Sequence, residues 1–205
     1  MKETEGRSEE FLVLKEEWRE KLMETGVPLD EWGKGEAKTL DHLIGEIVER
    51  VTVMVFDEEK SVWMRELEGI EIVVFYDHPD KGVLLLKEDR QVFSDGRIRK
   101  RGFSWVSEKV EENEEVDIAA IRGLKEELEL SPPFKRGPIK KGKKLVEEDS
   151  RSYPGLPTKY DMDCFEVWLT PEQFNPEGYV EEQEDKTTFF VWEEMGATYP
   201  YSCQG

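Results

Sequence analysis

Hydrophobic residues recur at helical spacing in some stretches of the chain and run together or alternate in others. In residues 8–24, Phe11, Leu14, Trp18 and Leu22 fall on one side, which predicts an amphipathic helix that Ser8 can cap. Such a stripe either packs on its own domain or serves as a dimer arm. Gly26 and Pro28 break the pattern, and Thr39 can cap a second short helix over LDHLIGEIVER. His42 is a surface residue of that helix in this reading, not a ligand. The runs VTVMVF (51–56), SVWMREL (61–67) and IEIVVFY (70–76) predict strands, the last two as neighbours and the last buried on both faces. His78 to Gly82 has the composition of a turn, GVLLLKE reads as strand, and Ser94-Asp95-Gly96 reads as a hairpin turn.

The next stretch, residues 102–130, organises the rest. Val116, Ala119, Ala120, Leu124 and Leu128 form an apolar helical stripe. Glu114, Glu115 and Asp117 crowd its start, where negative charge suits the helix dipole. Arg122 lies one turn before Glu126 and Gly123 one turn before Glu127, so the two glutamates project along adjacent ridges. Pro132 and Pro133 stop the helix soon after Leu130. Beyond it, SRSYPGLPTKY (150–160) reads as a loop, MDCFEVWLT (162–170) as a half-buried strand, Pro171 as the start of a helical turn and KTTFFVW as a last strand. Strands, a helix and more strands predict an α/β fold, with a mixed sheet covered by helices in an α/β/α sandwich.

Composition bounds the function. The chain has 205 residues, 37% of them hydrophobic, enough for a core. Its formal net charge of -19 repels nucleic acid and anionic membranes at long range, and it carries no recognisable nucleic-acid-binding motif. No apolar run is long enough to span a bilayer, and MKETEGRSEE lacks a signal-peptide core. Cys164 and Cys203 are too few for a disulfide framework or a zinc site. The expected compartment is therefore cytoplasmic, although an organellar form that has lost a transit peptide would look the same. Two basic islands interrupt the acidic background: Arg90, Arg97, Arg99, Lys100 and Arg101, and then Lys135, Arg136, Lys140, Lys141, Lys143 and Lys144. They either balance nearby acids or hold a phosphorylated substrate, arginine being suited to bidentate phosphate contacts.

Glu114, Arg122, Leu124, Glu126, Glu127 and Leu130 stand at the spacing of G-x5-E-x7-R-E-U-x-E-E-x-G-U, so residues 108–130 resemble the Nudix box. Three positions depart from it: Glu108 stands at the opening glycine, Gly123 at the glutamate after the arginine, and Glu129 at the late glycine. The resemblance implies a Nudix-like domain over residues 49–195, preceded by a helical extension (1–48) and followed by a tail (196–205). It implies a hydrolase that cleaves a diphosphate linkage in a nucleoside diphosphate derivative or related organic pyrophosphate. Mg2+ or Mn2+ would be the cofactor, polarising the diphosphate and activating water.

Carried over residue by residue, the resemblance makes Glu126, Glu127 and Glu114 the metal ligands, with Arg122 pairing Glu114 at the loop-to-helix junction. Glu126, Glu127 and a loop carboxylate from the Glu181, Glu182 and Glu184 cluster, Glu182 foremost, would do the catalytic work. Arg99, Arg101, Arg151 and Lys159 are the candidate substrate-binding residues, and Tyr153 stands in the same loop. Gly123 removes a carboxylate, so either something approaches the backbone there or the metal set is lost. The second reading follows from these departures: a non-catalytic module of the same fold that binds a nucleotide or a protein partner. The expected partner is a small phosphorylated molecule, with a homodimer the assembly that an N-terminal extension allows.

Overall fold

The computed structural model describes residues 2–184 and 186–195, with side chains from Glu9 onward. The residues 196–205 read as a tail lie outside the described part. Two compact units divide the chain, Met1–Glu68 with Leu145–Asp161, and Gly69–Lys144 with Met162–Gly205. The architecture is α/β, a large mixed sheet with few helices.

The first unit holds helices α1 (Lys2–Glu24) and α2 (Leu40–Val48), strand β1 (Val53–Asp57) and the opening residues of β2 (Val62–His78). The stripe on α1 does what its spacing predicts: Trp18 and Leu22 are buried, Phe11 and Leu14 pack beside them, and Leu43, Ile44, Tyr153 and Leu156 complete the cluster. α1 runs through Ser8, so that residue is not its cap. Thr39 does cap α2: its hydroxyl accepts from the His42 N–H, and His42 Nδ1 accepts from the Thr39 N–H at 3.2 Å. His42 is thereby part of a capping box on an exposed surface. β1 pairs antiparallel with β2, Val53 opposite Glu66.

In the second unit the strand order is β6-β7-β2-β3-β9-β8, with β4 on β3 and β5 on β2. These strands are β3 (Gly82–Phe93), β4 (Ile98–Arg99), β5 (Val106–Lys109), β6 (Arg136–Asp149), β7 (Pro157–Trp168), β8 (Tyr179–Glu182) and β9 (Lys186–Glu194). Helix α3 (Val116–Leu128) packs Ala119, Ala120, Leu124 and Leu128 against Ile70, Ile72 and Val74 of β2 and Phe165 and Val167 of β7. The alternate residues Val73 and Phe75 join Leu85 and Trp168 in another buried cluster. Because side chains alternate along a strand, the unbroken apolar run in β2 is buried on both of its faces.

Two sequence expectations are corrected. The neighbouring strands expected at 61–67 and 70–76 are one strand, β2, that passes straight through Gly69. This glycine answers a close approach rather than a turn: a Cβ there would meet Met162 Sδ at 2.9 Å and the Glu108 carbonyl oxygen at 3.2 Å. The lysine-rich segment after α3, read only as a basic island, is the fourteen-residue strand β6.

α3 closes with paired backbone bonds, Leu130 N–H to Leu124 O at 3.1 Å and Glu129 N–H to Lys125 O at 3.0 Å. This closure puts Glu129 at φ 58°, the left-handed region. A non-glycine residue there is disfavoured by about 1–2 kcal/mol, partly offset by the entropy that a glycine loses on folding. Glu129→Gly should therefore raise stability by up to about 1 kcal/mol in urea unfolding, and Glu129→Val should lower it, β-branched residues being the least tolerant of positive φ.

Candidate functional site

Arg122 is the fixed point of the acidic end of α3. Its Nε and Nη2 donate to the two oxygens of Glu114 at 3.0 and 2.9 Å, and Nη2 also donates to the Lys109 carbonyl at 2.7 Å. Nη1 donates to Glu126 Oε2 at 3.2 Å and lies 3.6 Å from Glu108 Oε1. One guanidinium thus ties the end of β5, the loop before α3 and the helix itself. Bonding to Glu114 holds the arginine firmly protonated, and the same bond holds the Glu114 carboxyl below its usual range.

Each predicted residue has a definite place. Both oxygens of Glu114 are engaged, since Oε2 also accepts from the Glu111 N–H at 3.1 Å. Glu126 is exposed and salt-bridged to Arg122. Glu127 is half-buried and stands near enough to Glu181 of β8 to feel its charge. Glu181 is itself 9% exposed and accepts from the Gln183 side-chain amide, while Glu182 and Glu184 are exposed. The alternation of β8 thus turns Glu181 toward α3 and its neighbour Glu182 outward. Sequence reasoning placed the emphasis on Glu182 because a run of glutamates carries no sign of which one faces inward.

Burial and the charges of Glu181 and Glu108 push the Glu127 carboxyl up to about 8, against a weaker pull from Lys186. Burial likewise raises the Glu108 carboxyl, countered by the Lys109 N–H and Arg122. Glu108 and Glu127 thus both hold their protons to higher pH than an exposed carboxyl does. Sequence reasoning did not place Glu108 here.

The candidate substrate-binding residues are spoken for or lie elsewhere. Arg99 Nε donates to Gln91 at 2.9 Å. Arg101 Nε bonds both oxygens of the buried Glu88 at 3.0 Å and its guanidinium sits over the Phe103 ring at 4.7 Å. Arg151 is exposed and Lys159 pairs with Glu66 at 2.9 Å, both in the first unit. Tyr153 is fully buried, tilted against Trp32 at 5.0 Å, and offers no surface to a base. The second basic island balances acids: Lys140 with Asp163 at 2.7 Å, Lys141 with Glu166 at 3.1 Å and Lys144 with Glu71 at 2.7 Å.

Whether these residues suit a divalent cation turns on the donors and the space. Carboxylate oxygens are the ligands that Mg2+ and Mn2+ prefer, and the space that Gly123 leaves beside them is taken by the Glu108 stem. Among the described residues no three His, Cys, Asp or Glu side chains stand as a ready-made ligand group. The donor chemistry fits, and binding would replace the proton that Glu127 now holds against Glu181.

The titration has a calculable sign. The Glu127 carboxyl is raised from 4.5 to about 8, so between those values the folded chain holds a proton that the unfolded chain has lost. Stability should fall as pH rises through that window. In EDTA, the Tm of the parent protein should drop between pH 5 and pH 8.5, while Glu127→Gln, which cannot ionise, should flatten that part of the curve; thermal melts at fixed ionic strength read the difference.

No protein-family model and no curated protein matches the chain. Solved structures do resemble it. A possible asymmetric diadenosine tetraphosphate hydrolase from Jonesia denitrificans is 13% identical, with a TM-score of 0.39 over 63% of this chain and 77% of that one. The Nudix domain of Shewanella oneidensis NrtR, solved with ADP-ribose, is 15% identical, with a TM-score of 0.34 over 62% of this chain and 71% of that one. The Escherichia coli dihydroneopterin triphosphate pyrophosphohydrolase is 19% identical, with a TM-score of 0.32 over 62% of this chain and 80% of that one.

Proposed function

We propose that this protein is a Nudix-type hydrolase that cleaves a diphosphate linkage in a nucleoside diphosphate derivative or related organic pyrophosphate, with Mg2+ or Mn2+ held at the acidic end of α3. The observation that carries the reading is the crowding of carboxylates on α3 and the strands beside it: Glu108 and Glu126 lie 3.6 and 3.2 Å from Arg122 Nη1, and the half-buried Glu127 feels the charge of Glu181 from β8. Like charges so close cannot all ionise unless a cation joins them. Such a cation, when bound, polarises a phosphoryl oxygen and lowers the pKa of a coordinated water.

In this reading Glu127 is the principal ligand, with Glu126 beside it once Arg122 gives up their 3.2 Å bond. Glu114 braces Arg122, and through it the junction of loop and helix. Glu181, buried where Glu182 is exposed, would accept a proton from the attacking water. Arg99 and Arg101 are the cations of the same unit from which a phosphate could draw a partner, by competing with Gln91 and Glu88. One observation favours the second reading, a nucleotide- or protein-binding module without turnover: Glu126 is already paired to Arg122.

A panel of pyrophosphate compounds, including ADP-ribose and diadenosine tetraphosphate, assayed with and without Mg2+ or Mn2+ separates the readings. The hydrolase should release a phosphorylated product only with metal, and Glu127→Gln should cut the rate by about 100-fold or more. Tight binding of one compound with no metal-dependent turnover at high protein concentration would establish the binding module instead.

A further inference from the structure

We infer that Glu108 of β5 supplies a carboxylate ligand to the cation site at α3, reaching it through the hollow that Gly123 leaves in the helix. The inference rests on the metal-dependent reading above and names a ligand that the helix does not carry.

Gly123 lies one turn before Glu127 on α3, and it is buried. A Cβ built on it would stand 3.0 Å from Glu108 Cβ, 3.5 Å from Glu108 Cγ and 3.7 Å from Ile72 Cδ1. The first of these is closer than packed side chains tolerate, so the stem of Glu108 fills the space that a side chain on Gly123 would need. A glycine inside a helix is destabilising relative to alanine. Here the close passage of Glu108 accounts for it.

β5 holds Glu108 in that place. Glu108 pairs with Ile70 of β2 in the antiparallel ladder, so its position along the strand is set by the sheet. Its carboxylate is fixed at one oxygen by the Lys109 N–H at 2.7 Å and flanked by Arg122 Nη1 at 3.6 Å. The same Arg122 Nη1 donates to Glu126 Oε2 at 3.2 Å, so one nitrogen stands between the Glu108 and Glu126 carboxylates. The two departures at 108 and 123 are thereby one change: the motif has glycine first and glutamate second, and this chain has them exchanged across the contact between β5 and α3.

The test uses the full chain and Mn2+ alone, with free Mn2+ read by electron paramagnetic resonance and folding read by thermal melts in EDTA. Glu108→Gln keeps the stem and the packing, and it should weaken Mn2+ binding about tenfold or more while leaving the Tm in EDTA within a few degrees of the parent. Gly123→Glu alone should lower the Tm, since two side chains then compete for one space. Glu108→Gly combined with Gly123→Glu should recover both Tm and Mn2+ affinity to near the parent values. If Glu108→Gln binds Mn2+ as the parent does while Glu127→Gln does not, Glu108 is only packing and the inference is overturned. Parent protein that binds no Mn2+ at any pH would instead overturn the metal-dependent reading, and this inference with it.

Discussion

A single guanidinium reconciles the acidic crowd at α3 with a folded chain. With a net charge of -19, the protein can gather Glu108, Glu111, Glu114 and Glu126 around one helix end only because Arg122 lies among them, at distances from 2.9 to 3.8 Å. The bidentate pair with Glu114 is partly buried, where such hydrogen-bonded charges are stronger than at an open surface. Its bond to the Lys109 carbonyl adds directionality that a lysine could not supply. Helix, loop and strand therefore meet at one side chain.

The same accounting of charge governs the cations of β6. Glu71, Asp163 and Glu166 are buried acids, each exposed by 6% or less, and all are met by cations from β6. Arg136 meets Glu166 as well, at 3.0 Å, while stacking over the Trp168 ring. Removing one partner of such a pair strands a buried charge at a cost of about 3–5 kcal/mol. The lysines of β6 are thus committed to the fold, which is why a strand lies where composition alone suggests a solvated loop. In the first unit, Arg65 and Glu46 repeat the arrangement at 3.2 Å, with Thr52 and Ser150 as further partners.

Much of this was legible in the sequence because it depends on local periodicity. The stripes of α1 and α3, the Thr39 cap, the hairpin at Ser94 to Gly96 and the doubly buried run in β2 all follow from residue spacing and turn chemistry. What the sequence could not show depends on partners far along the chain. Gly69 reads as a break between two strands until Met162 is placed against it, and the basic island of β6 leaves its role open until its lysines find Asp163, Glu166 and Glu71. The choice between Glu181 and Glu182 is a matter of strand phase, which a run of identical residues does not reveal.

Gly123 shows most clearly how a departure from a motif should be weighed. Taken alone, a glycine where a glutamate is customary signals loss, and a glutamate where a glycine is customary signals a blocked turn. Placed in space, the two residues occupy each other's volume: the Glu108 stem runs within van der Waals reach of the Gly123 backbone and ends among the remaining carboxylates. Neither substitution is tolerable singly, since glutamates at both positions would collide and glycines at both would leave a void beside Ile72. The pair is coupled by packing before any chemistry is considered, because each residue takes up the volume that the other leaves.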